Sequence, residues 1–139
     1  MPIRYAREDG LSAGDYLAVL RASGLAERRP VDEPARIAEI LAGSDLIVTA
    51  RDEAGRLIGL SRNLTDFAIC CYCADLAVDR AFQRRGIGTR LMAETKAMLG
   101  DGVSFILLAA PDAESFYLHA GPRIGLEPNP RCFDIRRTR

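Results

Sequence analysis

The segment Gln83-Arg84-Arg85-Gly86-Ile87-Gly88-Thr89 carries the residue types that bind phosphate groups. It lies where a strand-like pattern changes to a helical one, and the first turn of a helix has backbone N–H groups without partners. Gly86 and Gly88 lack the Cβ atoms that would keep a phosphate away from the backbone, while the two arginines add charge and the threonine adds a hydroxyl. The segment therefore predicts a diphosphate site.

Two common phosphate loops do not match this segment. A P-loop requires the triplet Gly-Lys-Ser/Thr, which occurs nowhere in the chain. The dinucleotide fingerprint requires a third glycine, and Leu91 occupies that position. A pair of glycines alone is weak evidence, because an ordinary turn with solvated arginines has the same pattern.

The elements around the segment predict a strand–helix–strand unit. The range 67–78 is rich in Ile, Tyr, Cys and Val and predicts a long strand. Apolar residues then recur at helical spacing from Gly88 to Leu99, and the apolar run Val103–Ala110 predicts a second strand, covered on both faces. Such a crossover makes the two strands parallel.

Upstream of this unit, the pattern predicts two helices and an antiparallel meander; downstream, it predicts a short helix and a last strand. Ser12 is expected to cap the first helix, which ends near Ser23-Gly24. The remaining expected elements are a first strand Ile3–Arg7, a second helix opened by Asp32-Glu33-Pro34, strands Asp45–Arg51 and Arg56–Arg62, a turn Asn63–Asp66, a helix capped by Asp112 and ending at His119, and a strand Arg131–Arg136.

Composition places the chain among single-domain proteins and excludes several classes. Its 139 residues predict one domain over residues 1–139, and 19 basic and 19 acidic side chains leave no charge field for nucleic acid or an anionic membrane. The four cysteines and one histidine match no common zinc spacing, so no metal is predicted. The longest apolar run is too short to cross a bilayer and the first residues lack a signal-peptide pattern, so we expect a cytoplasmic protein.

Three segments in order resemble the GNAT superfamily of N-acetyltransferases. Asp75-Leu76-Ala77-Val78-Asp79 resembles the family's L-x-V strand, and Gln83 to Gly88 resembles its Q/R-x-x-G-x-G/A signature. Ala113 to Gly121 resembles its A-x-x-F-Y-x-x-x-G segment. The resemblance implies an α/β fold with a central mixed, mostly antiparallel sheet, a splayed parallel strand pair and flanking helices.

The same resemblance implies acetyl-CoA as co-substrate and a primary amine as acceptor. In that family the pantetheine arm lies between the two splayed strands, which here are Ala74–Val78 and Val103–Ala110. Backbone groups of Leu76, Ala77 and Val78 would hold the arm, and one of their N–H groups would polarise the thioester carbonyl. The loop from Gln83 to Thr89 would bind the pyrophosphate.

Amine attack also requires groups that move protons. Asp75 is the first candidate for the base, and a solvated or capping carboxylate is the alternative interpretation of it. Glu33 and Asp66 follow as lesser candidates. Tyr117 matches the position of the family's acid for the leaving thiolate, and the resemblance also implies that it contacts the cofactor. The alternative for it is a packing tyrosine on an amphipathic helix. His119 is expected to be structural.

The sequence leaves the acceptor and the alternatives open. Small metabolites, aminoglycoside-like amines and peptide N-termini all remain candidate acceptors. A non-catalytic acyl-CoA-binding or regulatory module on the same fold is the alternative to an enzyme. A nucleotide-binding module is disfavoured by the missing P-loop lysine. Family habit also suggests a homodimer.

Overall fold

The computed structural model describes residues 2–138. The chain forms two compact units, of which the first ends at Leu108 and the second begins at Ala109. The first unit holds a five-stranded sheet with three helices, and the second holds one short helix. No helix among the described residues has the length and apolar character needed to cross a membrane. The elements are β1 (Arg4–Arg7), α1 (Ala13–Ser23), α2 (Pro34–Ala42), β2 (Leu46–Arg51), β3 (Leu57–Thr65), β4 (Cys70–Val78), α3 (Ile87–Ala97), β5 (Ser104–Leu107) and α4 (Glu114–Ala120).

The sheet has the order β1-β2-β3-β4-β5, so neighbours in sequence are also neighbours in space. The first four strands pair antiparallel, and β5 pairs with β4 in parallel after the crossover through α3. The predicted mixed sheet with one parallel pair is therefore confirmed.

Both ends of α1 and the start of α2 lie at the predicted residues, because their capping residues are local signals. The Ser12 side chain accepts a hydrogen bond from the Asp15 N–H at 3.1 Å, and Gly24 ends α1 in the left-handed conformation, with φ at 86°. Pro34 opens α2, where its missing N–H costs nothing.

The two faces of the sheet bury two apolar clusters in the first unit. Tyr16, Leu20 and Ile37 of the first two helices pack against one face. Ile87 and Leu91 of α3 pack against the other face, with apolar side chains of β2 and β3. β4 contributes to both clusters, through Ala77 and Cys71, and so lies between helices on the two faces of the sheet. The chain then runs from the end of β4 through a loop into α3.

The predicted turn Asn63–Asp66 is wrong. β3 continues through Thr65, and Asn63 is buried in it with its Nδ2 donating to the Leu46 carbonyl at 3.0 Å. The turn follows instead, where Asp66 Oδ1 accepts backbone N–H groups of residues 68, 69 and 70. β4 consequently begins at Cys70 rather than at Phe67.

The structure also corrects the predictions after α3. The predicted strand Val103–Ala110 is shorter, since β5 covers Ser104–Leu107, and it is not covered on both faces because Ile106 is 47% exposed. In the second unit, Asp112 lies in a 3-10 turn, and α4 begins at Glu114 without a side-chain cap. The predicted last strand Arg131–Arg136 is wrong, because those residues form no strand.

Candidate functional site

β4 separates from β5 halfway along its length. The parallel ladder ends at the pair Cys73–Leu107. Against β3, the register shifts so that Arg62 opposes Asp75 and Asn63 opposes Cys73, which leaves Ala74 as the extra residue of a β-bulge. Beyond the bulge β4 continues to Val78 beside β3 alone, and no described strand pairs with its other edge.

This free edge presents a small set of backbone groups. The Asp79 N–H donates to the Ile58 carbonyl at 2.8 Å on the β3 side, so alternation along the strand turns the Ala77 amide toward β3 and the Leu76 and Val78 amides toward the free edge. Of the three residues predicted to hold the cofactor through their backbone, Leu76 and Val78 therefore direct their amides to the free edge, whereas Ala77 directs its amide to β3.

Two side chains bind carbonyl groups of β4 on either side of Leu76 along the chain. Arg29 Nη2 donates to the Ala74 carbonyl at 2.7 Å, and Gln83 Nε2 donates to the Val78 carbonyl at 3.0 Å. The Leu76 amide lies between these two carbonyls along the strand. Gln83, which the motif placed on the cofactor loop, therefore ties that loop back to the end of β4.

The loop into α3 has the backbone shape of an anion site. Arg84 and Gly86 both adopt left-handed conformations, with φ at 66° and 78°. Gly86 is the N-cap of α3 and offers no side-chain cap, and the first amide that bonds back within the helix is that of Arg90. The amides of Ile87, Gly88 and Thr89 at the helix start are therefore without intrahelical partners.

Open space surrounds Gly86, since a Cβ placed there would meet no atom within 4 Å among those described. The left-handed conformation of Arg84 costs about 1–2 kcal/mol for a non-glycine residue, and such strain is concentrated at functional sites. A phosphate oxygen has room to approach the backbone of this loop.

Positive charge surrounds the loop, and its one buried acid is neutralised. The guanidinium of Arg85 lies 5.2 Å from the centre of the Phe82 ring, and that of Arg56 lies 5.9 Å from it. Asp79 is 5% exposed, pairs with Arg56 and accepts the Ala81 N–H at 2.9 Å. With Asp79 paired in this way, Arg84 and Arg85 are among the exposed positive charges beside the helix start.

Asp75, the first candidate for the base, is the centre of a buried polar cluster. It is 1% exposed, and its carboxylate accepts from the Tyr16 hydroxyl at 2.5 Å, from Arg62 Nε at 2.5 Å and from Arg29 Nε at 2.6 Å. Burial alone would raise the pKa of Asp75, but the charges of Arg62 and Arg29 hold that pKa below its ordinary value. A carboxylate so occupied is poorly suited to accept a proton from an amine, and the geometry favours an anchoring role.

The other two carboxylates considered for the base also have structural partners. Glu33 precedes α2 and pairs with Arg36 at 3.4 Å. The pKa of Asp66 is lowered by hydrogen bonds from the backbone amides of Ile69, Ala68 and Cys70 in the β3–β4 turn.

Tyr117 lies in the second unit. It is partly buried on α4, with its ring edge-on to that of Phe116 at 5.1 Å between centroids. His119 is exposed on the same helix. The free edge of β4 and the loop of residues 83–89 lie in the first unit, so the structure brings these two predicted parts of the site together by direct chain continuity.

Sequence reasoning missed three residues of the polar cluster, Tyr16, Arg29 and Arg62. Their partner Asp75 lies 59, 46 and 13 residues away along the chain. One signal was available: Arg62 is a charged residue inside a strand, in a run whose neighbours are buried.

The amino-acid sequence matches the model of a known protein family. The GNAT acetyltransferase domain model matches residues 43–121, more than half of the chain. No curated protein sequence matches significantly.

Solved structures are also similar. A probable acetyltransferase of unknown function from Staphylococcus aureus superposes with a TM-score of 0.76 at 20% identity, covering 99% of this chain and 100% of that one. A GNAT-family acetyltransferase from Streptococcus pneumoniae gives 0.63 at 23% identity over 86% of each chain. An aminoglycoside N-acetyltransferase in complex with CoA gives 0.70 at 16% identity, covering 99% and 95%. At these identities the likeness shows a shared fold.

Proposed function

The chain belongs to the GNAT acetyltransferase family, and we propose that it transfers the acetyl group of acetyl-CoA to a primary amine by direct attack in a ternary complex. The observation that carries this proposal is the arrangement of β4. One strand offers a free edge with an unpaired side at Leu76 and Val78, and it runs within a few residues into the open, cationic start of α3.

The two ends of this arrangement suit the two ends of coenzyme A. The pantetheine arm carries amide groups, which add to the free edge of β4 as a strand would. The diphosphate carries the negative charge that the helix start and the arginines at positions 84 and 85 favour. The proposed binding residues are Leu76 and Val78 on the strand and Gln83 to Thr89 on the loop.

The reaction begins with a neutral amine, whose proton has passed to solvent. The nitrogen lone pair attacks the thioester carbonyl carbon and forms a tetrahedral centre with a negative oxygen. The Leu76 N–H is the proposed donor to that oxygen, since it faces the free edge and has fixed geometry. The C–S bond then breaks, the nitrogen loses its second proton, and the leaving thiolate gains one to become the CoA thiol.

Tyr117 is the proposed source of the proton for the thiolate. The assignment rests on the match of Ala113 to Gly121 to the family pattern, and the phenol has the donor chemistry that the step needs. Asp75 is assigned differently: its three partners leave it as an anchor, so no carboxylate of this chain is proposed as the base.

The proposal is tested first by binding and then by turnover. Calorimetry with CoA and acetyl-CoA should show binding to the intact protein. A library of primary amines, including aminoglycosides because one similar structure is an aminoglycoside N-acetyltransferase, should then show acceptor-dependent release of the CoA thiol. Absence of CoA binding contradicts the proposal. Binding without transfer to any amine favours the alternative, a non-catalytic acyl-CoA-binding module.

A further inference from the structure

The side chain of Arg29 joins the connection between α1 and α2 to the bulge of β4. This residue follows the 3-10 turn Leu25–Arg28 and has extended backbone. Its Nε donates to Asp75 at 2.6 Å, its Nη2 to the Ala74 carbonyl at 2.7 Å and its Nη1 to the Arg28 carbonyl at 2.8 Å. The guanidinium therefore reaches across to two consecutive residues of the bulge.

The polar cluster holds two arginines but only one carboxylate, so the presence of Arg29 needs an explanation. Arg62 already pairs with Asp75 from the adjacent strand and also donates to Ser44 Oγ at 3.2 Å. Tyr16 adds no negative charge, because burial and the neighbouring Asp75 raise its pKa. Arg29 is thus a second cation on one carboxylate, with a side chain only 17% exposed, and such burial is costly.

The position of Arg29 supplies that explanation. The Ala74 carbonyl that it binds lies at the bulge, two residues before Leu76 and so about 7 Å from it along the strand. A bulge is a local irregularity in which peptide orientation is not fixed by a partner strand. Arg29 donates one hydrogen bond to the peptide between Ala74 and Asp75, at the Ala74 carbonyl, and another to the Asp75 side chain. It therefore adds a constraint at the start of the segment that carries the Leu76 N–H, beside the constraint from pairing with β3.

We propose that Arg29 is a positioning residue for acetyl transfer, which holds the bulged peptide between Ala74 and Asp75 so that the Leu76 N–H is aimed at the thioester carbonyl. Asp75 anchors Arg29 in this arrangement, and Arg62 and Tyr16 anchor Asp75. The inference rests on the proposed acetyl transfer and adds to it a residue outside the motif. The net positive charge of the cluster also favours the negative oxygen of the tetrahedral centre.

The test compares Arg29→Ala with Arg21→Ala, a control that removes the same side chain from the exposed last turn of α1. Arg29→Ala should lower kcat by about 10- to 100-fold, less than the roughly 100- to 1,000-fold loss for complete removal of an oxyanion donor, because the Leu76 N–H is still present but misaligned. The Kd for CoA should stay within about threefold, because the pyrophosphate loop is untouched. Arg21→Ala should leave both unchanged. Millimolar guanidinium, far below denaturing concentrations, should restore part of the kcat of Arg29→Ala only.

Two kinetic outcomes overturn the proposal. One is a kcat of Arg29→Ala equal to that of the wild type. The other is a parallel loss of kcat and CoA affinity without rescue by guanidinium, which would indicate a merely structural role. Arg62 and Tyr16 still bind Asp75 in the variant, so the fold should persist, and circular dichroism checks this.

A second measurement needs no acceptor and separates this inference from the proposed function. Residue-resolved amide hydrogen exchange on the CoA complex should be faster at Leu76 and Val78 in Arg29→Ala than in the wild type, and guanidinium should slow it again. Unchanged exchange at both amides overturns the positioning role. A wild type that binds CoA but acetylates no amine overturns the proposed function, while the exchange data still decide whether Arg29 orders the bulge.

Discussion

The Tyr16 hydroxyl donates a 2.5 Å hydrogen bond to the Asp75 carboxylate and so joins the first helix to the bulge of β4. Tyr16 is fully buried and Asp75 is 1% exposed. Burial and the neighbouring carboxylate raise the pKa of Tyr16, so the phenol stays a donor at every ordinary pH. The contact orients the carboxylate that in turn holds Arg62 and Arg29.

Removing this hydroxyl should destabilise the fold. We expect Tyr16→Phe to lower the free energy of unfolding by about 1.5–3 kcal/mol, the usual worth of a hydrogen bond to a charged group. Urea unfolding followed by circular dichroism measures it. The control is Tyr5→Phe, whose ring lies under the Arg90 guanidinium and keeps that contact. A loss for Tyr16→Phe no larger than that for Tyr5→Phe would contradict the role of the hydroxyl.

The charge of Asp75 gives a pH dependence with a definite sign. Its pKa in the folded protein lies below the ordinary value of 3.8, so the folded state keeps the carboxylate charged where the unfolded chain would bind a proton. The resulting stability is complete above about pH 5 and is lost as the pH falls through 3.8 toward the folded pKa. Asp75→Asn lacks this carboxylate, so its stability does not contain this pH-dependent contribution.

We therefore expect Asp75→Asn to be less stable than the wild type at pH 7 by about 3 kcal/mol or more, since it leaves two buried guanidinium groups without their anion. The difference should narrow as the pH is lowered below about 4. Urea unfolding across this pH range measures it, with Asp101→Asn on the exposed surface as the control. If the difference in unfolding free energy between the wild type and Asp75→Asn stays constant at the lowest pH measured, the ion pairs of Asp75 with Arg29 and Arg62 do not stabilise the fold as proposed.

The parts of the fold that could be predicted are those with local signals. Ser12 and Gly24 bound α1 because capping depends on the residues at the helix ends. The crossover through α3 could be predicted because its apolar residues repeat with a helical period, and the following strand is then parallel.

The parts that could not be predicted depend on distant contacts. Asn63 has the composition of a turn residue, yet it lies in β3 because a carbonyl of β2 binds its side chain. Residues 131–136 alternate like a strand but have no described strand beside them. The three partners of Asp75 could not be predicted, because they lie 59, 46 and 13 residues away along the chain and no local pattern shows that their side chains meet at this carboxylate.

The loop into α3 predicts a charge-specific loss of CoA affinity. In Gly86→Glu, a carboxylate would enter the open space where the diphosphate is proposed to lie, and it would face the free amides of the helix start. We expect CoA affinity to fall at least tenfold, or about 1.4 kcal/mol, by calorimetry. Gly55→Glu is a matched control, because Gly55 also has positive φ, at 81°, and also has open space around it.

Both substitutions carry the same backbone strain, so a difference between them reports on the site and not on the left-handed conformation. Equal CoA affinity in the two variants, with both proteins folded, would contradict the proposed cradle at Gly86.

Tyr117→Phe isolates the proton donor for the leaving thiolate. The phenyl ring keeps the edge-on contact with Phe116, whereas the O–H is lost. Because general acid catalysis is typically worth about 100-fold or more, we expect kcat to fall by about that factor while CoA affinity changes little. Assays of CoA release measure kcat, and calorimetry on the same preparation measures CoA affinity. Tyr5→Phe is the control for loss of a phenol elsewhere. If kcat is unchanged, Tyr117 is a packing residue of α4 and the thiolate takes its proton from another source.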